Sequence, residues 1–330
     1  MRKRLYYYPP LKGGPYGNPY SDNYREALSR RFRIVNIPRV PHCGLSISFF
    51  FASLRADVYV LNWLEDISYR RFGHWQFALA KLGLWIIRQR GKQVVWMFHN
   101  MQPHDGHSVD TRWLHRYLFR HAQLIISHSQ EAAAFARRQA EGRVEYVCHP
   151  VTPFHLDLKD TPAPPPCDVL IWGTVVPYKG VAEFLAEARQ RQCPLRIRVL
   201  GKCPYADLTA TIEGLCGGDI VFDNRRASFE ELAMAIRASR VVLFPYVGGS
   251  ISSSGALIDT VALGGTPVGP RRGAFKDLSD EGVCLTYNDY DDLFRLLTSQ
   301  RSIDPSAREA FIEANTWTHL AEVVEKYMAD

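Results

Sequence analysis

A polar loop at residues 250–255 has the residue types that bind an anion through the backbone. It reads Ser-Ile-Ser-Ser-Ser-Gly and runs into a short helix-forming stretch that ends on Gly-Gly-Thr-Pro. The first amides of a helix lack acceptors within the helix, and the helix dipole adds partial positive charge. The amides of Ser253, Ser254 and Gly255 would therefore hold a phosphate or diphosphate. The same residues also fit an ordinary strand-to-helix connection with a serine N-cap and a glycine C-cap.

Two glycine-lysine pairs follow apolar runs and would add charge to such a site. Gly173 follows the run 169–172, and Lys179 precedes the next helix. Gly201 and Lys202 follow the run 195–200. A glycine lets a diphosphate approach the backbone, and an ammonium group meets its oxygens. Each lysine alone also fits a solvated surface charge.

Residues 99–107 bring three histidines and a carboxylate into one loop. Asp105 would take a proton from an attacking hydroxyl, with His104 or His99 orienting it or contacting a phosphate. Alternatively, His99 and Asn100 only satisfy backbone groups in a turn. The sequence has no Gly-x-Ser-x-Gly motif, which argues against a serine hydrolase.

The loop after the first apolar run carries three glycines with aromatic and amide residues between them. Gly17, Asn18 and Tyr20 are candidates for contact with a ligand, because glycines allow close approach of the backbone. A plain long loop is the alternative. The loop is not a Gly-x-Gly-x-x-Gly with a later acidic residue, so a nicotinamide cofactor is disfavoured.

Apolar runs alternating with helix-like stretches predict the strands that position these loops. The runs are 4–8, 33–37, 58–61, 93–98, 124–127 and 144–147, then 169–172, 195–200, 220–222, 241–244, 266–268 and 283–285. A proline-rich segment at 151–166 separates the two sets, since proline interrupts strands and helices. Both halves therefore read as parallel α/β domains, in which ligands bind beyond the carboxyl ends of the strands.

The composition is that of a soluble globular protein. The chain has 330 residues, of which 46% are hydrophobic and 22% charged. It lacks an apolar run of membrane-spanning length and the apolar part of a signal peptide. Its 7 cysteines are scattered without a Cys-x-x-Cys pair, which indicates reduced thiols in a cytosol and argues against a metal site.

Charge is distributed unevenly along the chain. Residues 1–150 hold 22 Lys and Arg against 10 Asp and Glu, a net charge of +12, and the remainder holds 18 against 24, a net charge of −6. A basic half fits nucleic acid, an anionic membrane or an anionic substrate. No nucleic-acid-binding motif accompanies the charge, so we expect no nucleic-acid partner.

The stretch at residues 69–92 combines Trp, Phe and Leu with flanking Arg and Lys. Such a helix would lie on an anionic bilayer, with aromatic rings at the interface and cations on lipid phosphates. The alternative is that most of these apolar residues form a helix face buried on the sheet.

The motifs together resemble bacterial glycosyltransferases of the GT-B fold. The resemblance runs over nearly the whole chain, and its most specific parts are residues 178–180 (Tyr-Lys-Gly), 244–246 (Phe-Pro-Tyr), 254–255 (Ser-Gly) and 265–268 (Gly-Thr-Pro-Val). Residues 99–105 and the opening of the chain are similar to a subset that builds exopolysaccharide repeat units on lipid carriers, including mannosyltransferases.

The resemblance implies an α/β protein with two Rossmann-like domains facing across a cleft. Residues 1–150 would bind the acceptor, 151–166 would be a linker, 167–312 would bind the nucleotide sugar, and a helix in 313–330 would cross back to the first domain. Tyr246, beside the serine loop, and Asp259 join the nucleotide-binding candidates.

One departure from the family concerns two glutamates. The large retaining family related to glycogen and sucrose synthases carries them eight positions apart before Gly-Thr-Pro-Val. Ser252 and Thr260 stand at those positions here, and Asp259 neighbours the second. On a helix Asp259 points about 100° away from Thr260, so it is no simple replacement. The stereochemical outcome is therefore left open.

The expected activity is transfer of a hexose from GDP-mannose or a UDP-sugar to a glycan or lipid-linked acceptor. The sequence has no Asp-x-Asp motif, so we expect no metal, because helix N-termini and cations stabilise a departing diphosphate. Asp105 is the expected base for an inverting transfer, ahead of Asp22 and Glu65; in a retaining transfer it would orient the sugar or the acceptor. A sugar-nucleotide epimerase and a non-catalytic nucleotide-sugar-binding subunit are alternatives. The expected location is the cytoplasm, peripherally at the inner face of the plasma membrane.

Overall fold

The computed structural model describes residues 2–9, 19–36, 55–99, 109–248 and 251–328. The chain divides into two compact units, Met1–Pro150 with Asn315–Asp330 and Val151–Ala314. Within the described residues, each unit contains one six-stranded sheet in which every strand pair is parallel.

The first unit has the strand order β2-β1-β3-β4-β5-β6. Its strands are β1 Arg4–Tyr8, β2 Arg33–Ile34, β3 Val58–Asn62, β4 Gln93–Phe98, β5 Leu124–Ser127 and β6 Arg143–Tyr146. Its helices are α1 Tyr20–Ser29, α2 Gly73–Gln89, α3 Val109–His121, α4 Gln130–Arg137 and the last helix of the chain, α12 Trp317–Met328, with a 3-10 helix at Leu64–Tyr69.

Strand β1 shows how the sheet of the first unit is covered on both faces. Its three tyrosines are fully buried. Because side chains alternate along a strand, Tyr6 and Tyr8 join one apolar cluster while Leu5 and Tyr7 join the other. Helices α1 and α12 pack within the second cluster, which includes Trp317. A parallel sheet buried on both faces is therefore the scaffold for the loops at its carboxyl edge.

The second unit has the strand order β12-β11-β10-β7-β8-β9. Its strands are β7 Cys167–Trp172, β8 Ile197–Leu200, β9 Ile220–Asp223, β10 Ser239–Leu243, β11 Pro267–Pro270 and β12 Leu285–Tyr287. Its helices are α5 Val181–Gln190, α6 Ala206–Leu215, α7 Phe229–Arg237, α8 Gly255–Ala262, α9 Gly273–Asp280, α10 Tyr290–Thr298 and α11 Pro305–Ala314, with a 3-10 helix at Pro177–Lys179.

The predicted α/β class with two parallel sheets is confirmed. Each of the twelve apolar runs overlaps a strand; β2 is shorter than its run, and β12 begins two residues later. None of the helices in the described part of the chain combines the length and the apolarity needed to cross a bilayer.

The ends of β7 and β8 approach each other through two glycines. A Cβ added to Gly201 would lie 1.8 Å from the carbonyl oxygen of Gly173, so the backbone would have to move. Overpacking of this kind destabilises a protein by roughly 1–3 kcal/mol. We therefore expect Gly201→Ala to lower the free energy of unfolding by that amount in urea titrations. Gly214→Ala is the matched control, since Gly214 lies in helix α6 with open space around it and alanine should stabilise the helix by up to about 1 kcal/mol.

Candidate functional site

The side-chain amine of Lys179 in the second unit is a cation whose pKa is shifted by burial. Lys179 ends the 3-10 helix after β7, and its Nζ lies 5.8 Å from the centre of the Tyr246 ring. Burial lowers the pKa of this amine to about 8. No ion pair joins it to an acidic side chain in the described ranges. A partly buried cation without a carboxylate partner suits an anionic ligand.

Gly173 makes room for this amine. It follows β7 with φ of +101°, and an added Cβ would lie 3.1 Å from Nζ of Lys179. The neighbouring strand end holds Lys202, whose carbonyl accepts a hydrogen bond of 3.0 Å from Val175 while its side chain is exposed. The two lysines therefore differ: Lys179 is partly buried, and the side chain of Lys202 is exposed to solvent.

Tyr246 connects Lys179 with the serine loop. Its hydroxyl lies 3.5 Å from Oγ of Ser254, and burial raises its pKa. Ser254 is the N-cap of α8, where its Oγ accepts a hydrogen bond from the amide of Leu257. A Cβ added to Gly255 would meet no atom within 4 Å. Among the described residues, no atom fills the space at the start of α8, and the ring of the tyrosine that contacts its N-cap faces the Lys179 amine.

The two positions that hold glutamates in the related family are occupied differently here. Thr260 is fully buried; its Oγ1 accepts a hydrogen bond from Trp172 Nε1 and donates one to the carbonyl of Ala256. Its hydroxyl therefore ties α8 to β7. Ser252 is also buried, and its Oγ has no hydrogen-bond partner among the described residues. Asp259 is buried as well, which raises the pKa of its carboxyl to about 7.

Arg272 is a further cation at this edge that sequence reasoning missed. It follows β11 and donates from Nη2 to the carbonyl of Tyr246 at 2.8 Å. Its Nε is buried and unpaired within the described ranges. A sequence signal was present, because Arg271 and Arg272 stand within four residues of an apolar run, and ligands in this class of fold bind after strands.

In the first unit, the carboxyl edge of the sheet holds a cluster of aromatic and imidazole rings around Tyr20. Tyr20 is the first residue of α1 and is 2% exposed. Ring centres between 5.0 and 5.6 Å from its own belong to Trp63, His99, His128, His149 and Trp317. We call these six residues the Tyr20 cluster.

Hydrogen bonds position the rings of the Tyr20 cluster. Nε2 of His128 lies 2.7 Å from the Tyr20 hydroxyl, and its Nδ1 lies 2.7 Å from the carbonyl of Val147. Because a carbonyl only accepts, Nδ1 carries the proton and Nε2 accepts from the tyrosine. His99 lies 3.3 Å from Oδ1 of Asn62. Hydrogen bonds thus orient the rings of His128 and His99.

Burial keeps the three histidines neutral. It lowers the pKa of His128 to about 3 and that of His149 to about 4, and it takes the pKa of His99 well below the usual range. Their mutual proximity adds to the effect for His99 and His128, since charging one ring disfavours charging another. At neutral pH the Tyr20 cluster therefore offers uncharged imidazoles.

Sequence reasoning selected Tyr20 and His99 from this cluster and missed the others. His128 follows β5, and His149 comes three residues after β6, so the strand-end rule would have found both histidines. Trp317 stands far along the chain in α12, and no local pattern connects it with Tyr20.

The two secondary candidates for the base, Asp22 and Glu65, have partners within their own unit. The carboxylate of Asp22 pairs with Arg25 one turn along α1. Glu65 is buried, which raises its pKa to about 8, and its Oε2 accepts a 3.3 Å hydrogen bond from Trp96 Nε1. The remaining candidates, Gly17, Asn18, Asn100, His104 and Asp105, lie outside the described residues. Within the ranges that the structure covers, no group of three His, Cys, Asp or Glu side chains is placed to hold a metal ion.

Comparison with solved structures gives matches over the full length of the chain. Sucrose-phosphate synthase from Thermosynechococcus elongatus matches with a TM-score of 0.70 at 15% identity, covering 98% of both chains. HepE from Anabaena in complex with UDP and glucose matches with a TM-score of 0.65 at 14% identity, covering 100% of both. AviGT4, a glycosyltransferase involved in avilamycin A biosynthesis, matches with 0.63 at 15% identity over 100% of this chain and 97% of that one.

The chain has the GT-B fold. The fold class expected from the sequence is thereby confirmed, because these neighbours are GT-B glycosyltransferases. No protein-family model matches the sequence. No curated protein matches it by sequence either. The exopolysaccharide and mannosyltransferase subclass stays a prediction.

Proposed function

We propose that this protein is a glycosyltransferase that moves a hexose from a nucleoside-diphosphate sugar to a hydroxyl group of a glycan or lipid-linked acceptor. The observation that supports it best is the Lys179 amine, which is partly buried, pairs with no carboxylate in the described ranges and faces the ring of Tyr246, whose hydroxyl contacts the N-cap of α8. A diphosphate would supply the missing negative charge. In this proposal the Val151–Ala314 unit binds the donor and the Met1–Pro150 unit binds the acceptor.

The donor that we propose to test first is a UDP-hexose, with GDP-mannose next. HepE, whose fold this chain shares, was solved with UDP, with UDP and glucose, and with UDP-glucose. The anion-binding groups proposed above, Lys179 and the amides at the start of α8, would bind the diphosphate of either nucleotide. We propose that neither a metal nor another cofactor takes part.

The proposed chemistry places positive charge where the leaving group gains negative charge. As the bond between the anomeric carbon and the diphosphate oxygen breaks, Lys179 and the amides of Ser253, Ser254 and Gly255 stabilise the departing diphosphate. Lys202, Gly173 and Gly201 border the same strand ends. In an inverting transfer, Asp105 takes the proton of the acceptor hydroxyl; in a retaining transfer it orients the sugar or the acceptor.

A nucleotide-binding screen tests the donor half of the proposal. UDP, GDP and their sugars are added to the purified protein, and the melting temperature is measured. A ligand at about 100 times its Kd stabilises the native state by about 2.7 kcal/mol, which raises the melting temperature by several degrees. If no nucleoside diphosphate or nucleotide sugar raises it at millimolar concentration, the proposal is wrong.

Product analysis then separates transfer from the two alternatives. A transferase consumes the preferred nucleotide sugar only with an acceptor, whereas an epimerase converts it alone. A nucleotide-binding subunit would bind without turnover. Asp105→Asn should abolish an inverting transfer while leaving nucleotide binding unchanged, and full transfer by this variant would remove Asp105 as the base.

A further inference from the structure

Helix α2 presents an apolar stripe to solvent. Trp75 is 76% exposed and Trp85 is 55% exposed, with Leu79 and Leu82 exposed between them. The three- and four-residue spacing from 75 to 79 to 82 keeps these side chains on one face. The opposite face, which includes Leu84 and Ile87, is buried against the sheet. One apolar face of α2 is therefore buried, as the alternative interpretation expects, and a second apolar face is exposed to solvent.

The charged residues of α2 and its flanking segments are all cations, although Asp110 of α3 lies 3.5 Å from Nδ1 of His74. Residues 70–92 contain no Asp or Glu, and their cations are Arg70, Arg71, Lys81, Arg88, Arg90 and Lys92. Arg71 precedes α2, and Arg90 is its C-cap, so a cation stands at each end of the helix. Lys81 lies 5.0 Å from the ring of Trp113, beside the face. Lys92 is paired with Asp57, so the proposal below does not use it.

We propose that the exposed face of α2 docks on an anionic lipid bilayer. Tryptophan rings favour the region between lipid headgroups and acyl chains, and arginine and lysine beside them meet lipid phosphates. The observations carry this proposal independently of the glycosyl transfer proposed above, since vesicle binding needs no sugar. It nonetheless agrees with a lipid-linked acceptor.

A second copy of this chain is a poorer occupant of the same face. A two-fold interface brings one patch against itself, so the arginines of one α2 would face those of the other. Without acidic residues on the helix, like charges would oppose each other across the contact. An anionic bilayer reverses that repulsion into attraction.

Vesicle co-sedimentation of the full chain tests the proposal. The vesicles are phosphatidylcholine alone and phosphatidylcholine with phosphatidylglycerol, at low and at high salt. We expect binding to the mixed vesicles only, weakened by salt. Arg71→Gln with Arg90→Gln should reduce the partition coefficient about 25-fold, because each cation near an anionic surface contributes about fivefold. Trp75→Ser with Trp85→Ser should reduce it at least about tenfold.

The matched control is Tyr205→Ser with Arg301→Gln, an exposed aromatic residue and an exposed cation of the other unit, which should bind like the unchanged chain. Quenching of tryptophan fluorescence by brominated lipids should be lost in the tryptophan variant. Equal binding to both kinds of vesicle, or unchanged binding by both double variants, would overturn the proposal. So would a lipid-free dimer that the tryptophan variant fails to form.

Discussion

We expect Lys179→Met to weaken UDP binding about 100-fold and at the same time to stabilise the ligand-free protein. Charge-assisted hydrogen bonds to a diphosphate contribute about 1.5–3 kcal/mol each. Without ligand, burial removes hydration from the ammonium group and lowers its pKa to about 8. Methionine of similar length removes that cost, roughly 1–3 kcal/mol. Isothermal titration with UDP and urea unfolding measure the two effects.

A loss of UDP affinity together with a gain in stability would identify Lys179 as a ligand-binding residue. A residue that only supported the fold would lower stability and affinity together. Lys276→Met is the matched control, because Lys276 is an exposed lysine of α9 paired with Asp280, and its loss should change neither quantity much. If Lys179→Met leaves UDP affinity within about twofold of the original, that is, within about 0.4 kcal/mol, Lys179 does not bind the diphosphate.

The same amine predicts a pH dependence of binding. Only its protonated form attracts the diphosphate, and in the free protein its pKa is about 8. UDP affinity should therefore fall as the pH rises above about 8, well above the pH of about 6 at which the terminal phosphate of UDP ionises. Titrations across this range should show the decline in the unchanged chain and not in Lys179→Met.

The second large effect is a loss of stability in mild acid, caused by the Tyr20 cluster. His128 and His149 have pKa values of about 3 and about 4 in the folded chain, against about 6.5 when unfolded. The unfolded chain thus binds more protons below pH 6.5, so the free energy of unfolding falls as the pH falls from about 6.5 towards 4. At pH 5 each of the two histidines should cost about 2 kcal/mol, and His99 acts in the same direction.

Urea unfolding at several pH values measures this loss. His128→Gln keeps an acceptor for Tyr20 and a donor for Val147 but cannot be protonated, so it should remove about 2 kcal/mol of the difference between pH 7.5 and pH 5. His319→Gln, at an exposed histidine of the same unit, should leave the difference unchanged. A pH dependence that is identical in all three proteins would show that the cluster is not its source.

Local sequence predicted the strands of both sheets well because their signal is local. A buried parallel strand is a short apolar run bounded by turn residues, and such runs were readable from 4–8 to 283–285. The same reasoning selected Lys179, Gly173 and the serine loop as candidates, since ligands in this class of fold bind after strands. It also put Tyr20 and His99 at a carboxyl edge.

Local sequence could not settle which side chains are enclosed or paired. Helix α2 is apolar around most of its circumference, so its pattern did not show that Leu84 would be buried and Trp85 exposed. Thr260 stands where related proteins have a glutamate, and nothing in the local sequence shows that its hydroxyl accepts a hydrogen bond from Trp172, 88 residues away.

The sequence by itself determined the class of fold and the strand ends at which polar residues collect, because both follow from the order of apolar and turn residues along the chain. Only the tertiary structure decided which groups are buried or exposed: the partly buried amine of Lys179, the neutral histidines around Tyr20 and the exposed tryptophans of α2. The physical reason is that hydration and pairing depend on atoms supplied by distant segments, and these atoms come together only when the chain folds.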